Sequence, residues 1–98
     1  MLIYHIVLPD DWAAFQGEMY TSASLDTEGF IHCSFAEQLE DVIQRYYAKE
    51  QKLVVLEIES ERLMSRMLLE ASTNDEIYPH VYGPINRKAI VRTEVRGI

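Results

Sequence analysis

The chain has little with which to cross-link or kink itself. A single cysteine, Cys33, excludes an internal disulfide and fits a reducing compartment. The four glycines, Gly17, Gly29, Gly83 and Gly97, lie too far apart to form a glycine-rich phosphate loop. Positive charge is scarce: nine Lys and Arg against sixteen Asp and Glu give a net charge of −7. That balance repels polyanions at long range and disfavours nucleic acid as a partner. The basic residues that exist, such as Arg45, Lys52, Arg87 and Arg92, are interleaved with acids. No apolar run is long enough to span a bilayer, so no membrane segment is expected. The first residues, Met1 to Val7, lack the basic leader of an export signal, and the expected compartment is cytoplasmic. There is no repeat, low-complexity tract or linker, and 98 residues suffice for one domain, 1–98.

What is present is apolar periodicity. Residues 2–7 alternate as a strand. Residues 10–19 are expected to form a short helix, with Pro9 and two aspartates at its start and Trp12, Phe15 and Met19 in one stripe. Residues 20–29 read as a loop and 30–34 as a short strand. Ser34-Phe35-Ala36-Glu37 has the S-x-x-E form of a capping box, so Ser34 is expected to cap a helix striped by Phe35, Leu39, Val42/Ile43 and Tyr46. Leu53 to Glu59 opens with an unbroken apolar run, which predicts a central strand covered on both faces. A helical turn is expected at 60–63, strands at 67–70, 80–82 and 90–95, and a polar loop at 71–79. Strands and helices mix without a regular βαβ rhythm, so the fold class is α+β.

Chemistry concentrates in two short segments. In an extended chain Phe30, His32 and Ser34 share a face, and Cys33 turns away as a buried small hydrophobe. The same rule pairs His80 with Tyr82. If the segments meet, two imidazoles, a hydroxyl and a phenol line one site, suited to holding ribose or phosphate or to moving a proton. Taken singly, each histidine is more often a satisfied semi-buried residue, and Ser34 only a cap. Glu70, where an apolar run becomes a polar loop, is either a solvated strand end or a site acid. His5 suits a strand residue facing its neighbours. The three histidines lack metal-ligand spacing, so no metal is expected.

Ile3-Tyr4-His5-Ile6, Glu28-Gly29-Phe30-Ile31-His32-Cys33-Ser34, Leu69-Glu70-Ala71-Ser72 and Tyr78-Pro79-His80-Val81-Tyr82-Gly83-Pro84 occur in this order. Together they resemble the bacterial family called domain of unknown function 952, over nearly the whole chain. That family is similar in fold to the ADP-ribosyltransferase superfamily, which implies a small split, curved β-sheet with two main flanking helices cradling NAD. Ile-His-Cys-Ser also resembles the His-x-Ser stretch of tRNA 2′-phosphotransferases in that superfamily. The resemblance implies that His32 and Ser34 face the NAD pocket and that His80, Tyr82 and Glu70 line it. The candidate ligand contacts are therefore His32, Ser34, His80, Tyr82 and, added to them, His5, with Glu70 and His32 as the candidate catalytic residues. The Glu-x-Glu pair of arginine-modifying transferases is absent, and the phosphate-binding arginines of the 2′-phosphotransferases have no clear counterparts.

The leading expectation is therefore a small domain binding NAD or a related nucleotide, acting as an ADP-ribosyltransferase-like transferase or NAD glycohydrolase. A non-catalytic nucleotide-binding module is the first alternative. The second is a two-histidine phosphoesterase using His32 and His80, although His80-Val81-Tyr82 does not repeat the His-x-Ser/Thr pattern.

Overall fold

A computed structural model describes all residues, 1–98. The chain runs β1 (Leu2–Val7), α1 (Pro9–Ala14), β2 (Met19–Tyr20), α2 (Ala23–Glu28) and β3 (Ile31–His32). A 3-10 turn at Ala36–Gln38 then leads into α3 (Leu39–Tyr46). The second half is mostly strand: β4 (Lys52–Glu59), β5 (Arg66–Ala71), β6 (Ile77–Tyr82), β7 (Ile85–Asn86) and β8 (Ile90–Gly97). All pairings are antiparallel and form three sheets, ordered β1-β4-β8, β3-β6-β5 and the two-stranded β2-β7. The class is α+β, as expected.

β4 organises the interior. Val54, Leu56 and Ile58 point into the larger core with Ile3, Ile31, Cys33, Val81 and Ile85. Leu53 and Val55 point the other way, against Leu39 and Ile43 of α3 and Ile6 of β1. Alternation along one strand thus feeds two cores, which explains its unbroken apolar run. Fully burying each such side chain contributes about 1.5–3 kcal/mol.

Three local expectations are corrected. The helix expected over 10–19 ends at Ala14, because Gly17 adopts a left-handed φ of +100° and Met19–Tyr20 leave to pair with β7. Trp12 and Phe15 still pack on Tyr20, with ring centroids 6.0 and 5.5 Å from it. The loop expected over 20–29 contains α2, closed by Gly29 at φ +89°, whose N–H reaches the Ser24 and Leu25 carbonyls. Its Ser, Asp and Thr residues read equally well as turn formers or as a helix start.

Ser34 is the third correction. It does not cap a helix. Its backbone is bound to Tyr4 in both directions, Ser34 N–H to Tyr4 C=O at 2.7 Å and the reverse at 2.8 Å. The helical region begins one residue later, where Phe35 N–H donates to Gln38 Oε1 at 2.9 Å. Gln38 thereby does the reaching back expected of Glu37, and its Nε2 donates to the Ile77 carbonyl at 2.8 Å.

The Tyr4–Ser34 bridge joins the β1-β4-β8 sheet to the β3-β6-β5 sheet, and His5 reinforces it. A carbonyl only accepts, so His5 Nδ1–H donates to His32 C=O (2.6 Å). Nε2 is then the acceptor in the neutral ring, and the Tyr20 hydroxyl donates a hydrogen bond to it (3.0 Å). Burial pushes the imidazole pKa down from 6.5 to about 4.

The unfolded chain therefore binds a proton that the folded chain refuses between those two values. Stability from this group is intact above pH 6.5 and falls as the pH drops toward 4. The loss should be about 2 kcal/mol by pH 5 and should level off near 3 kcal/mol below pH 4. Urea unfolding across this range should show that slope in the wild type and a flatter one in His5→Gln. A level wild-type profile between pH 7 and pH 5 would refute the buried neutral ring.

Candidate functional site

Directly opposed residues of an antiparallel pair share a face. The register of β3-β6-β5 sets His32 opposite His80, His80 opposite Leu68, Tyr82 opposite Arg66 and Tyr78 opposite Glu70. These residues lie on one face of the sheet, while Ile31, Val81 and Pro79 are buried on the other. Cys33 N–H bonds the Pro79 carbonyl at 3.1 Å. By alternation His32 and His80 then form a non-hydrogen-bonded pair, the kind that brings side chains closest. Their ring centroids are 5.6 Å apart.

Phe30 completes the group. Its ring stacks on His80 with centroids 4.0 Å apart and planes 19° apart, and it contacts His32 at 4.8 Å and Tyr82 at 5.4 Å. His80 is only 4% exposed, whereas His32 and Tyr82 reach solvent. The result is a wet aromatic and imidazole surface over one buried imidazole.

Glu70 holds that imidazole. One carboxylate oxygen, Oε1, accepts both the Tyr82 hydroxyl at 2.6 Å and His80 Nδ1–H at 2.8 Å. The Tyr82 bond first, and the His80 bond second, hold the Glu70 carboxyl below its usual pKa, so it is ionised at neutral pH. The same bond raises the Tyr82 phenol. With Nδ1 committed to Glu70, the neutral His80 ring carries its lone pair on Nε2, and that buried atom has no protein partner. A carboxylate thus orients the histidine and leaves its far nitrogen unpartnered but covered, so a ligand reaches that atom only if the neighbouring side chains move aside.

The structure thus brings His32, His80, Tyr82 and Glu70 together. Ser34, expected among the ligand contacts, is buried and joined through its backbone to Tyr4, and its hydroxyl makes no hydrogen bond to these side chains. His5 is not among them as a side chain: its ring is spent on the His32 carbonyl and on Tyr20, so it supports the strand that carries His32. Sequence reasoning missed three participants. Phe30 lies on the same alternating face as His32 and was legible from that. Glu28, whose carboxylate accepts from His32 Nε2–H at 3.0 Å, needed the turn at Gly29 to be known. Tyr20 is brought to His5 only by tertiary folding.

The face is open. Hollows of about 220 and 260 Å³ lie elsewhere, the first beside Trp12 and Arg87, the second beside Tyr4, Leu39 and Arg96. No group of three or more His, Cys, Asp or Glu side chains is placed to hold a metal ion. No helix is long and apolar enough to cross a membrane.

The Glu70–His80 bond makes a spectroscopic prediction. In long-range ¹H–¹⁵N spectra, at a pH where the ring is neutral, His80 should carry its proton on Nδ1. Glu70→Ala should move it toward Nε2. An Nε2–H tautomer in the wild type would contradict the proposed dyad.

Comparison with known proteins agrees with the fold. The crystal structure of protein CC0527 from Caulobacter crescentus is 32% identical, with a TM-score of 0.85, covering 97% of this chain and 85% of that one. The solution NMR structure of the same protein is 33% identical with a TM-score of 0.79, covering 95% and 82% respectively. No curated protein matches. The family model described as "Protein of unknown function (DUF952)" matches residues 6–93. A match over that much of the sequence means that the chain belongs to the DUF952 family.

Proposed function

We propose that the outer face of β3-β6-β5 binds a small nucleotide of the NAD type and that Glu70 serves in breaking its nicotinamide–ribose bond. The observation that carries this reading is the ionised Glu70 carboxylate, fixed by Tyr82 and His80 beside the exposed rings of His32 and Tyr82. Flat rings suit a nicotinamide or adenine by stacking. A fixed negative charge next to them suits the positive ribose centre that develops as the bond to nicotinamide breaks. The resemblance of the Ile31-His32-Cys33-Ser34 stretch to the His-x-Ser stretch of tRNA 2′-phosphotransferases, members of the ADP-ribosyltransferase superfamily, supports the same chemistry. In this scheme His32 holds a ribose or pyrophosphate group, His80 positions Glu70, and an acceptor nucleophile or water captures the ribosyl centre as nicotinamide leaves.

The test is a ligand-detected titration with NAD and ADP-ribose, followed by assay of nicotinamide release. Binding is expected at the His32 and Tyr82 resonances. Glu70→Gln should lower turnover by about a hundredfold or more while leaving NAD affinity nearly unchanged, because the charge acts mainly in the transition state. Turnover that survives Glu70→Gln would remove Glu70 from the chemistry. Binding without cleavage, with acceptors supplied, would favour a non-catalytic module.

One observation favours a second reading. The His32 and His80 rings meet nearly edge-on across a strand pair, with centroids 5.6 Å apart, a spacing that lets one serve as acid and the other as base on a phosphate ester once the buried His80 Nε2 is uncovered. Hydrolysis of a cyclic phosphate without NAD, lost in both His32→Ala and His80→Ala, would replace the first reading with this one.

A further inference from the structure

We infer that the free edge of β8 is a self-complementary dimer interface, through which two copies of this chain join their β1-β4-β8 sheets into one six-stranded sheet. β8 stands at the end of that sheet with β4 on one side only. It is eight residues long and contains no proline and no lysine, the residues that commonly protect an edge. Its one irregularity is a bulge where Arg92 and Ile90 meet Glu57 and Ile58, near its start.

The direction of its backbone groups follows from its last hydrogen bond. Ile98 N–H donates toward the β4 side, to the Gln51 carbonyl at 3.0 Å. Alternation then turns the N–H and C=O groups of Thr93, Val95 and Gly97 to the free edge. The side chains of that edge also want cover. Thr93 and Val95 lie opposite Leu56 and Val54, so they extend the buried core face outward, yet Val95 is 69% exposed and Val91 42% exposed.

Charge selects the register. In an antiparallel pair of identical strands the alternation Arg92, Glu94, Arg96 allows few centres. Centring on Arg92 or on Glu94 would place like charges opposite each other. Centring on Val95 would pair Glu94 with Arg96, but Arg96 is already bonded within its own chain to Glu94 and Glu40. Centring on Thr93 pairs each Arg92 with the other copy's Glu94, twice by symmetry, and brings Val91 beside Val95. Arg92 makes no ion pair within its own chain. The same hand of symmetry keeps the core face of one sheet continuous with that of the other, a closed two-fold contact that uses up both edges. The strip carries two arginines around one glutamate, so the acidic surface of the chain is locally relieved where the copies meet.

Light scattering on size-fractionated protein over a concentration series tests this. The wild type should reach twice the monomer mass, and added salt should weaken the dimer. Arg92→Glu and Glu94→Arg should each raise the dimer Kd by about tenfold or more, and the double variant Arg92→Glu/Glu94→Arg should bring it back to within about threefold. Thr93→Pro removes an amide that faces the free edge and spares the ladder to β4, so it should give a folded monomer with unchanged circular dichroism. A wild type that stays monomeric throughout the series would overturn the proposal. So would a folded Thr93→Pro variant that still dimerises, or a double variant no tighter than either single one.

Discussion

The seam between β1 and the His32–Ser34 segment is the constraint on which the remainder depends. Two short sheets meet there through the paired Tyr4 and Ser34 backbones and through the His5 ring on the His32 carbonyl. Neither contact is individually large; a backbone hydrogen bond contributes about 1 kcal/mol net. Their importance is geometric. β3 has only two residues in its ladder to β6, too few to hold an orientation alone. With its next residues clamped to β1, it cannot slip by one position, a slip that would send His32 inward and Ile31 outward. The buried histidine is thus spent on architecture and the neighbouring one is freed for the surface.

The Glu70, His80 and Tyr82 triangle shows the opposite economy. One carboxylate oxygen collects two donors, and the second remains without a protein donor. The carboxylate is ionised because hydrogen-bond donors favour its charged form, while its outer side stays in contact with water. Phe30 fixes the plane of the buried imidazole by stacking, and the Glu70 carboxylate fixes which nitrogen points toward it. Such a histidine is pre-positioned by contacts on three sides, which is what a binding or proton-transfer group requires.

Much of this was legible from residue order alone. The period-2 alternation around His32 and around His80 placed each pair on one face, and the β4 apolar run announced a strand covered twice. The cluster itself was visible because both segments carried unusual polar residues beside apolar ones. What escaped had physical reasons. Ser34 carries a capping signature, but a strand partner 30 residues away in sequence competes for its backbone and wins. The Trp12 stripe was read as a ten-residue helix because side-chain period says nothing of a glycine that turns left-handed at position 17. The roles of Tyr20 and Glu28 depend on turns whose geometry no local pattern specifies, and His5, expected among the ligand contacts, is spent on the His32 carbonyl and Tyr20.

The order of strands carries a consequence for how the chain acquires its shape. β1, made first, has no partner until residues 52–59 exist, and β4 in turn lacks its second neighbour until residues 90–97 have been added. β3 likewise waits for β6. Nearly every ladder closes a long loop, which places the entropic cost ahead of the contacts that offset it. The smaller core nevertheless draws only on residues up to Val55, whereas the larger one needs Val81, Ile85 and Ala89. During synthesis the α3 side of β4 can therefore be covered before β6 exists, and the sheet that carries His32 and His80 is completed later than the core behind α3.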